Sequence, residues 1–140
     1  MKSIHVLEVK TSRRNQLLDL MPEIRAFLRD RQADEGTLVL FVPHTTAAVT
    51  INENADPDVK TDILSYLSRM IPENAGFHHI EGNSDAHIKS SLVSPSLTIL
   101  VSEGNPVLGT WQSVFFCEFD GPRSRKLYMK YIPDTVPAMQ

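Results

Sequence analysis

The chain has 140 residues, a net charge of −3 at neutral pH, 41% hydrophobic residues and a single cysteine. That length suits one domain, residues 1–140, whose core folds without a metal or disulfide staple. The acidic balance gives no field for nucleic acid or an anionic membrane, and Arg13-Arg14 and Arg123-Ser124-Arg125-Lys126 are too short to make one.

Cys117 lies in the run SVFFCEF and reads as a buried small hydrophobe in a reducing compartment. The N-terminus MKSIHVLEVK has neither an uninterrupted apolar core nor a small-residue cleavage site, so it is no secretory signal. No apolar run approaches the roughly 18 residues of a membrane span. The expectation is a cytoplasmic protein with no membrane partner.

In chain order, Ser3 to Lys10 reads as a strand, and the polar turn after it suggests a hairpin. Ile24, Phe27 and Leu28 recur at helical spacing after Pro22, predicting an amphipathic helix to about Ala33 that Gly36 closes. Leu38 to Val42 is a buried strand stopped by Pro43, delivering His44 at its end, and TTAAVTINEN continues as extended chain. Asp56-Pro57 opens a helix with Val59, Ile63, Leu67 and Met70 on one face, ending before Pro72. A loop follows, carrying His78 and His79, and Asn83 or Ser84 caps a short helix to about Leu92.

The last third reads as sheet: Leu97 to Ser102, a turn at Glu103-Gly104-Asn105-Pro106, Thr110 to Phe119, a turn at Asp120-Gly121-Pro122, and Leu127 to Ile132. The tail from Pro133 is expected to fray. Strands at both ends with helices between predict an α+β fold with a largely antiparallel sheet. The long strand carries apolar residues on both faces and should be covered on both sides, if need be by another subunit.

Chemistry concentrates in FHHIEGNSDAHIK, Phe77 to Lys89. His79 and His87 are separated by a turn and a helix start, so the loop can fold back and aim both at one point. With His44 they would make three neutral imidazoles suited to zinc or a related metal, leaving an open position. The alternative is that one histidine is buried and hydrogen-bonded while the others are solvated. Arg123 follows a tight turn, where a rigid guanidinium can grip phosphate or carboxylate, or can be simply solvated. Thr45 and Thr46 offer hydroxyls and amides to an anion, or are plain strand residues. Asn54 stands beside a helix start and reads more readily as a turn residue than as a ligand group. Gln112 and Glu118 are about 20 Å apart on one extended strand, so they cannot share a small substrate without a bulge or a second subunit.

HTTAAVTINENADPDV, HHIEGNSDAHIKSSL and LGTWQSVFFCEFDGPRSRKLYM together resemble the YjbQ-like family over nearly the whole chain. The resemblance implies a compact α+β subunit that forms a homotrimer by packing sheets about a three-fold axis. It implies a weak secondary thiamine-phosphate synthase activity, joining a hydroxymethylpyrimidine diphosphate to a thiazole phosphate. The family's histidines fall on His44, His79 and His87, its amides and acid on Asn54, Asn83, Gln112 and Glu118, and its turn arginine on Arg123.

The expected function is a metal-assisted enzyme of phosphorylated small molecules, with Arg123 and a divalent cation neutralising the leaving group and Lys89 assisting. Imidazoles prefer zinc-like ions, whereas diphosphate chemistry usually runs on magnesium held by carboxylates. A metal-dependent hydrolase fits the residues as well, and a non-catalytic trimer that captures a phosphorylated metabolite is the third reading.

Overall fold

A computed structural model of the protein describes residues 2–135. Eight strands and three helices follow one another as β1 (His5–Lys10), β2 (Gln16–Asp19), α1 (Met21–Asp30), β3 (Gly36–Phe41), β4 (Ala47–Glu53), α2 (Pro57–Met70), α3 (Ser84–Val93), β5 (Ser96–Ser102), β6 (Asn105–Pro106), β7 (Gln112–Glu118) and β8 (Ser124–Pro133). A five-stranded sheet in the order β1-β8-β3-β5-β6 faces a three-stranded sheet in the order β2-β7-β4, and every pairing is antiparallel. The fold is α+β, as the element order implied.

Period-two alternation builds the core. Leu38 and Leu40 on β3, Ile99 and Val101 on β5 and Leu127 and Met129 on β8 face Val49, Val114 and Phe116 of the smaller sheet, and Ile24, Phe27 and Leu28 of α1 join the same cluster. Each of these buried side chains stabilises the fold by about 1.5–3 kcal/mol of gross transfer free energy, before ordering costs.

Four local expectations change. The hairpin after β1 does not form: β1 pairs with β8 and β2 with β7, because residues 11–15 carry the chain from one sheet to the other. Six cross-strand pairs with β8 replace the local turn. Gly36 opens β3 rather than closing α1; a Cβ there would collide with the Ile132 carbonyl, and the left-handed residue after α1 is Gln32, φ 50°. On α2 the predicted apolar face is only half-buried, and Met70 is 55% exposed, because this helix lies on the outer face of the smaller sheet. Asn105 and Pro106 lie not in a turn but in β6, with Val101 and Ser102 as partners.

Both faces of β7 are covered from within the chain. Ser113 through Glu118 are buried, with Val114 and Phe116 in the main core. Cys117 packs with Phe119, Ala48 and Ala86 under Leu17, Leu67 and Val93. Its apolar character therefore needs no second subunit. At the other end of the chain Pro133 belongs to β8, and the Asp134 N–H donates to Glu35 O at 3.0 Å. The remainder of the expected tail, residues 136–140, lies outside the described residues.

Candidate functional site

β3 ends at Phe41, and the chain passes through Pro43 to His44, Thr45 and Thr46 at the edge of β4. The turn between β7 and β8 and the N-terminal half of α3 close on the same point. They enclose a cavity of about 720 Å³ whose wall includes His44, Thr45, Thr46, His79, Asn83, His87, Arg123 and Arg125. Residues as far apart in sequence as His44 and Arg125, 81 positions, are thus brought to one mouth by the antiparallel pairing of β8 with β3 and β4 with β7.

Asp120 organises the floor. Its Oδ2 accepts from Arg123 Nη2 at 2.8 Å and from Asn83 Nδ2 at 2.9 Å, while Oδ1 accepts from Arg14 Nη1 at 3.2 Å. Its carbonyl also accepts from Arg123 Nε at 2.8 Å. The turn that holds it is tight: the Gly121–Pro122 peptide is cis, and a Cβ at Gly121 would press into the Arg13 carbonyl and the Glu118 and Thr11 side chains. Only glycine fits that approach.

A second arginine lies deeper. Arg125, 4% exposed, donates from Nε to Glu118 Oε1 at 2.8 Å and from Nη2 to Glu118 Oε2 and to the Thr46 hydroxyl, the last at 2.8 Å. Glu118 also accepts from the Thr11 hydroxyl at 2.8 Å and the Asp120 N–H at 3.0 Å. Burial alone would raise the Glu118 pKa, but the hydrogen bonds from Arg125, Asp120 N–H and Thr11 outweigh it and hold the carboxyl below its ordinary value. Both guanidiniums are anchored along one edge, and Nη1 of each has no hydrogen-bond partner among the described residues.

The three histidines differ. His44 Nε2 accepts from the Lys126 N–H at 2.9 Å, and burial and then the Arg125 charge lower its pKa. His79, on the loop, and His87, on α3, stand edge-on with ring centroids 5.5 Å apart. Glu81 Oε2 is 3.8 Å from His79 Nε2. Among the described residues no three of His, Cys, Asp and Glu converge closely enough to form a ready cation site.

Four sequence-predicted residues stand apart from the cavity wall. Glu118 is wholly buried behind Arg125. Gln112, at the far end of β7, accepts the Gly109 N–H at 2.8 Å. Asn54 is exposed, between Asp19 and Lys60. Lys89 is 1% exposed and donates to Asn15 Oδ1 at 3.1 Å and Ser68 Oγ at 3.4 Å, with Asp85 Oδ2 at 3.6 Å. At 100° per residue it falls on the side of α3 away from Asn83 and His87. Burial lowers its pKa and Asp85 partly restores it.

Sequence reasoning missed Arg125, Asp120 as a hub, and Arg14. Arg125 has a readable signal, the parity it shares with Leu127 and Met129 on the inward face of β8, which begins at Ser124 rather than at the expected Leu127. Arg14 had none, because its partners Asp85 and Asp120 are 71 and 106 positions away.

Comparison with known proteins agrees with this architecture. A UPF0047 protein of Methanocaldococcus jannaschii is 53% identical over 133 residues, 95% of this chain and 96% of the relative, and the UPF0047 protein YugU of Bacillus subtilis is 46% identical over 91% of this chain and 97% of its own length. The crystal structure of an uncharacterised YjbQ/UPF0047 protein from Clostridium acetobutylicum superposes with a TM-score of 0.89 at 45% identity, covering 91% of this chain and 99% of that one. A hypothetical protein from Aeropyrum pernix gives the same TM-score at 35% identity, covering 94% of this chain and 98% of that one. The family described as UPF0047 protein YjbQ-like matches residues 5–134, and the chain belongs to it.

Proposed function

We propose that the cavity binds the phosphate of a phosphorylated small molecule and that the protein is a metal-assisted enzyme of such compounds. One observation carries this reading: Arg123 and Arg125 are each held along one edge by a carboxylate of the same chain, Asp120 and Glu118, with Nη1 of each left without a protein partner. A guanidinium fixed in that way loses little freedom on meeting an oxyanion. Thr45 and Thr46 add hydroxyls on the same wall.

The donor set suits a zinc-like cation better than magnesium. Two edge-on imidazoles 5.5 Å apart match ligands converging on one tetrahedral ion with bonds of about 2 Å. Asp120 spends both oxygens on Arg14, Asn83 and Arg123, so the remaining carboxylate on the cavity wall is Glu81, beside His79, one carboxylate where magnesium would want several. His79 and His87 would hold the ion, with His44 joining them only by giving up its bond to Lys126 N–H. When bound, such a cation would polarise a phosphoryl oxygen or activate water. That preference favours hydrolysis over the pyrophosphate-releasing thiamine-phosphate synthesis that the family resemblance suggests.

Calorimetric titration of inorganic phosphate into wild type and Arg123→Lys tests the anion site. The variant should bind about 1–3 kcal/mol more weakly per folded molecule, apart from any fall in melting temperature from the two lost hydrogen bonds to Asp120; equal affinities would remove Arg123 from the site. Metal analysis tests the cation: His79→Ala with His87→Ala should lose transition-metal binding yet melt as wild type, since the core does not depend on the ion. Full metal content in that double variant would end the cation assignment.

A further inference from the structure

α3 presents three polar side chains on one stripe. Asn83 caps the helix, His87 follows four residues later and Ser90 three after that, so the stripe runs about 10 Å along the axis at about 1.5 Å per residue. Asn83 and His87 wall the 720 Å³ cavity, and His87 and Ser90 wall a smaller one of about 290 Å³. The two cavities share His44, Thr45, His87 and Pro95, so the smaller is a continuation of the larger past the imidazoles.

Both ends of the stripe carry an unanswered polar atom. Asn83 is 8% exposed and Ser90 6%, and neither Asn83 Oδ1 nor Ser90 Oγ has a hydrogen-bond partner among the described residues. The Asn83 orientation is not ambiguous: Asp120 can only accept, so the amide nitrogen faces it and the oxygen is the free atom. Ser90 is unusual for a helical serine. Such a hydroxyl commonly bonds back to the carbonyl four residues earlier, as Ser91 does to His87 O at 3.0 Å. Ser90 makes no such bond, which leaves its buried hydroxyl without a partner.

We propose that the site takes an elongated ligand lying along α3, anionic at the Arg123 and Arg125 end and carrying a neutral hydrogen-bonding group at the other end, where it meets Ser90. The anionic end is fixed at Arg123 and Arg125, and Asn83 Oδ1 beside it, which can only accept, takes a donor hydroxyl of the same ligand. The far end is neutral because the smaller cavity is walled by His44, Thr45, Ala47, His87, Ser90, Ser91 and Pro95, with no carboxylate, lysine or arginine. A hydroxylated chain esterified to phosphate has this chemistry. The inference rests on the anion reading and names the shape of its substrate.

The test is calorimetric titration of inorganic phosphate and of ribose 5-phosphate into wild type, Ser90→Ala and Ser90→Val. Wild type should bind the sugar phosphate more tightly than phosphate. Ser90→Ala, which favours the helix, should lose about fivefold to tenfold in affinity for ribose 5-phosphate, as expected for one neutral hydrogen bond. Ser90→Val, which fills the arm, should lose more. Neither change should alter phosphate binding. If phosphate binds while the Ser90 variants hold ribose 5-phosphate as wild type does, or lose both probes alike, the second arm is wrong and the anion site stands. If neither probe binds wild type, the anion reading itself fails and the elongated ligand goes with it.

Discussion

Glu118 and Arg125 form a buried ion pair. Taking both charges out of water is repaid only because Thr11, Thr46 and the Asp120 N–H complete their hydrogen bonding. Glu118→Gln keeps the shape but leaves the guanidinium without a counter-charge, so chemical denaturation should show a loss of about 3–5 kcal/mol. An unchanged midpoint would mean that Arg125 finds its balance elsewhere. The same pair sets an acid limit. Because the folded-state pKa of Glu118 is depressed, its contribution is fully present above the unfolded carboxylate value and is lost as pH falls through the folded value. Wild type should therefore lose stability on acidification below about pH 4.3, the unfolded glutamate value, and Glu118→Gln should show a shallower slope there. Parallel curves would assign the acid limit to other carboxylates.

At the scale of elements, α2 is held more loosely than α1 or α3, each of which buries four residues. None of its residues is fully buried, and a cavity of about 870 Å³ runs between it and the outer face of β7 and β4. Its start therefore depends on local chemistry: Asp56 accepts from the Asp58 N–H at 2.9 Å, and Pro57 occupies the first turn. Asp56→Ala should cost about 1 kcal/mol, and hydrogen exchange in α2 should quicken while β7 stays protected. Uniform acceleration across both would show that α2 unfolds only with the core. α3, by contrast, is fixed by ions: Arg14 reaches Asp85 at 3.0 Å and Lys89 lies buried beside it. That fixation keeps Asn83 and His87 at the cavity.

For the whole molecule, the outer face of the five-stranded sheet is the conspicuous surface. Val6, Tyr128 and Phe41 form one cross-strand row and Leu100, Thr37 and Ile132 another. Val6, Phe41, Leu100 and Ile132 are exposed at 39%, 44%, 64% and 46%. We propose that this face meets other copies of the chain in the trimer that the family resemblance suggests. Sedimentation equilibrium at micromolar concentration should give three times the chain mass, and Phe41→Glu with Leu100→Glu should reduce it to one. A wild-type mass equal to a single chain would remove the trimer. Among the described residues no helix is long and apolar enough to cross a membrane.

What could be read from the sequence was what short-range rules govern. Asp56-Pro57 declared a helix start, alternation placed the inward faces of β3 and β5, and the Asp120-Gly121-Pro122 turn pointed to Arg123, because capping, pleating and turn geometry depend on residues a few positions apart. Family motifs supplied the histidines and Asn83, whose shared cavity no spacing rule could have located. The tertiary structure alone decided which groups face the cavity and which support it. Lys89 turned away because α3 buries its Asp85 and Lys89 side against Arg14 and Asn15 and against Ser68 of α2, and Gln112 and Asn54 fell at the distant end of β7. Arg125 came under the cavity through the pairing of β8 with β3, and Arg14 met Asp85 and Asp120 because the chain changes sheets between β1 and β2. Such contacts depend on strand order, which arises from burial summed over the whole chain and leaves no local mark in the residues it joins.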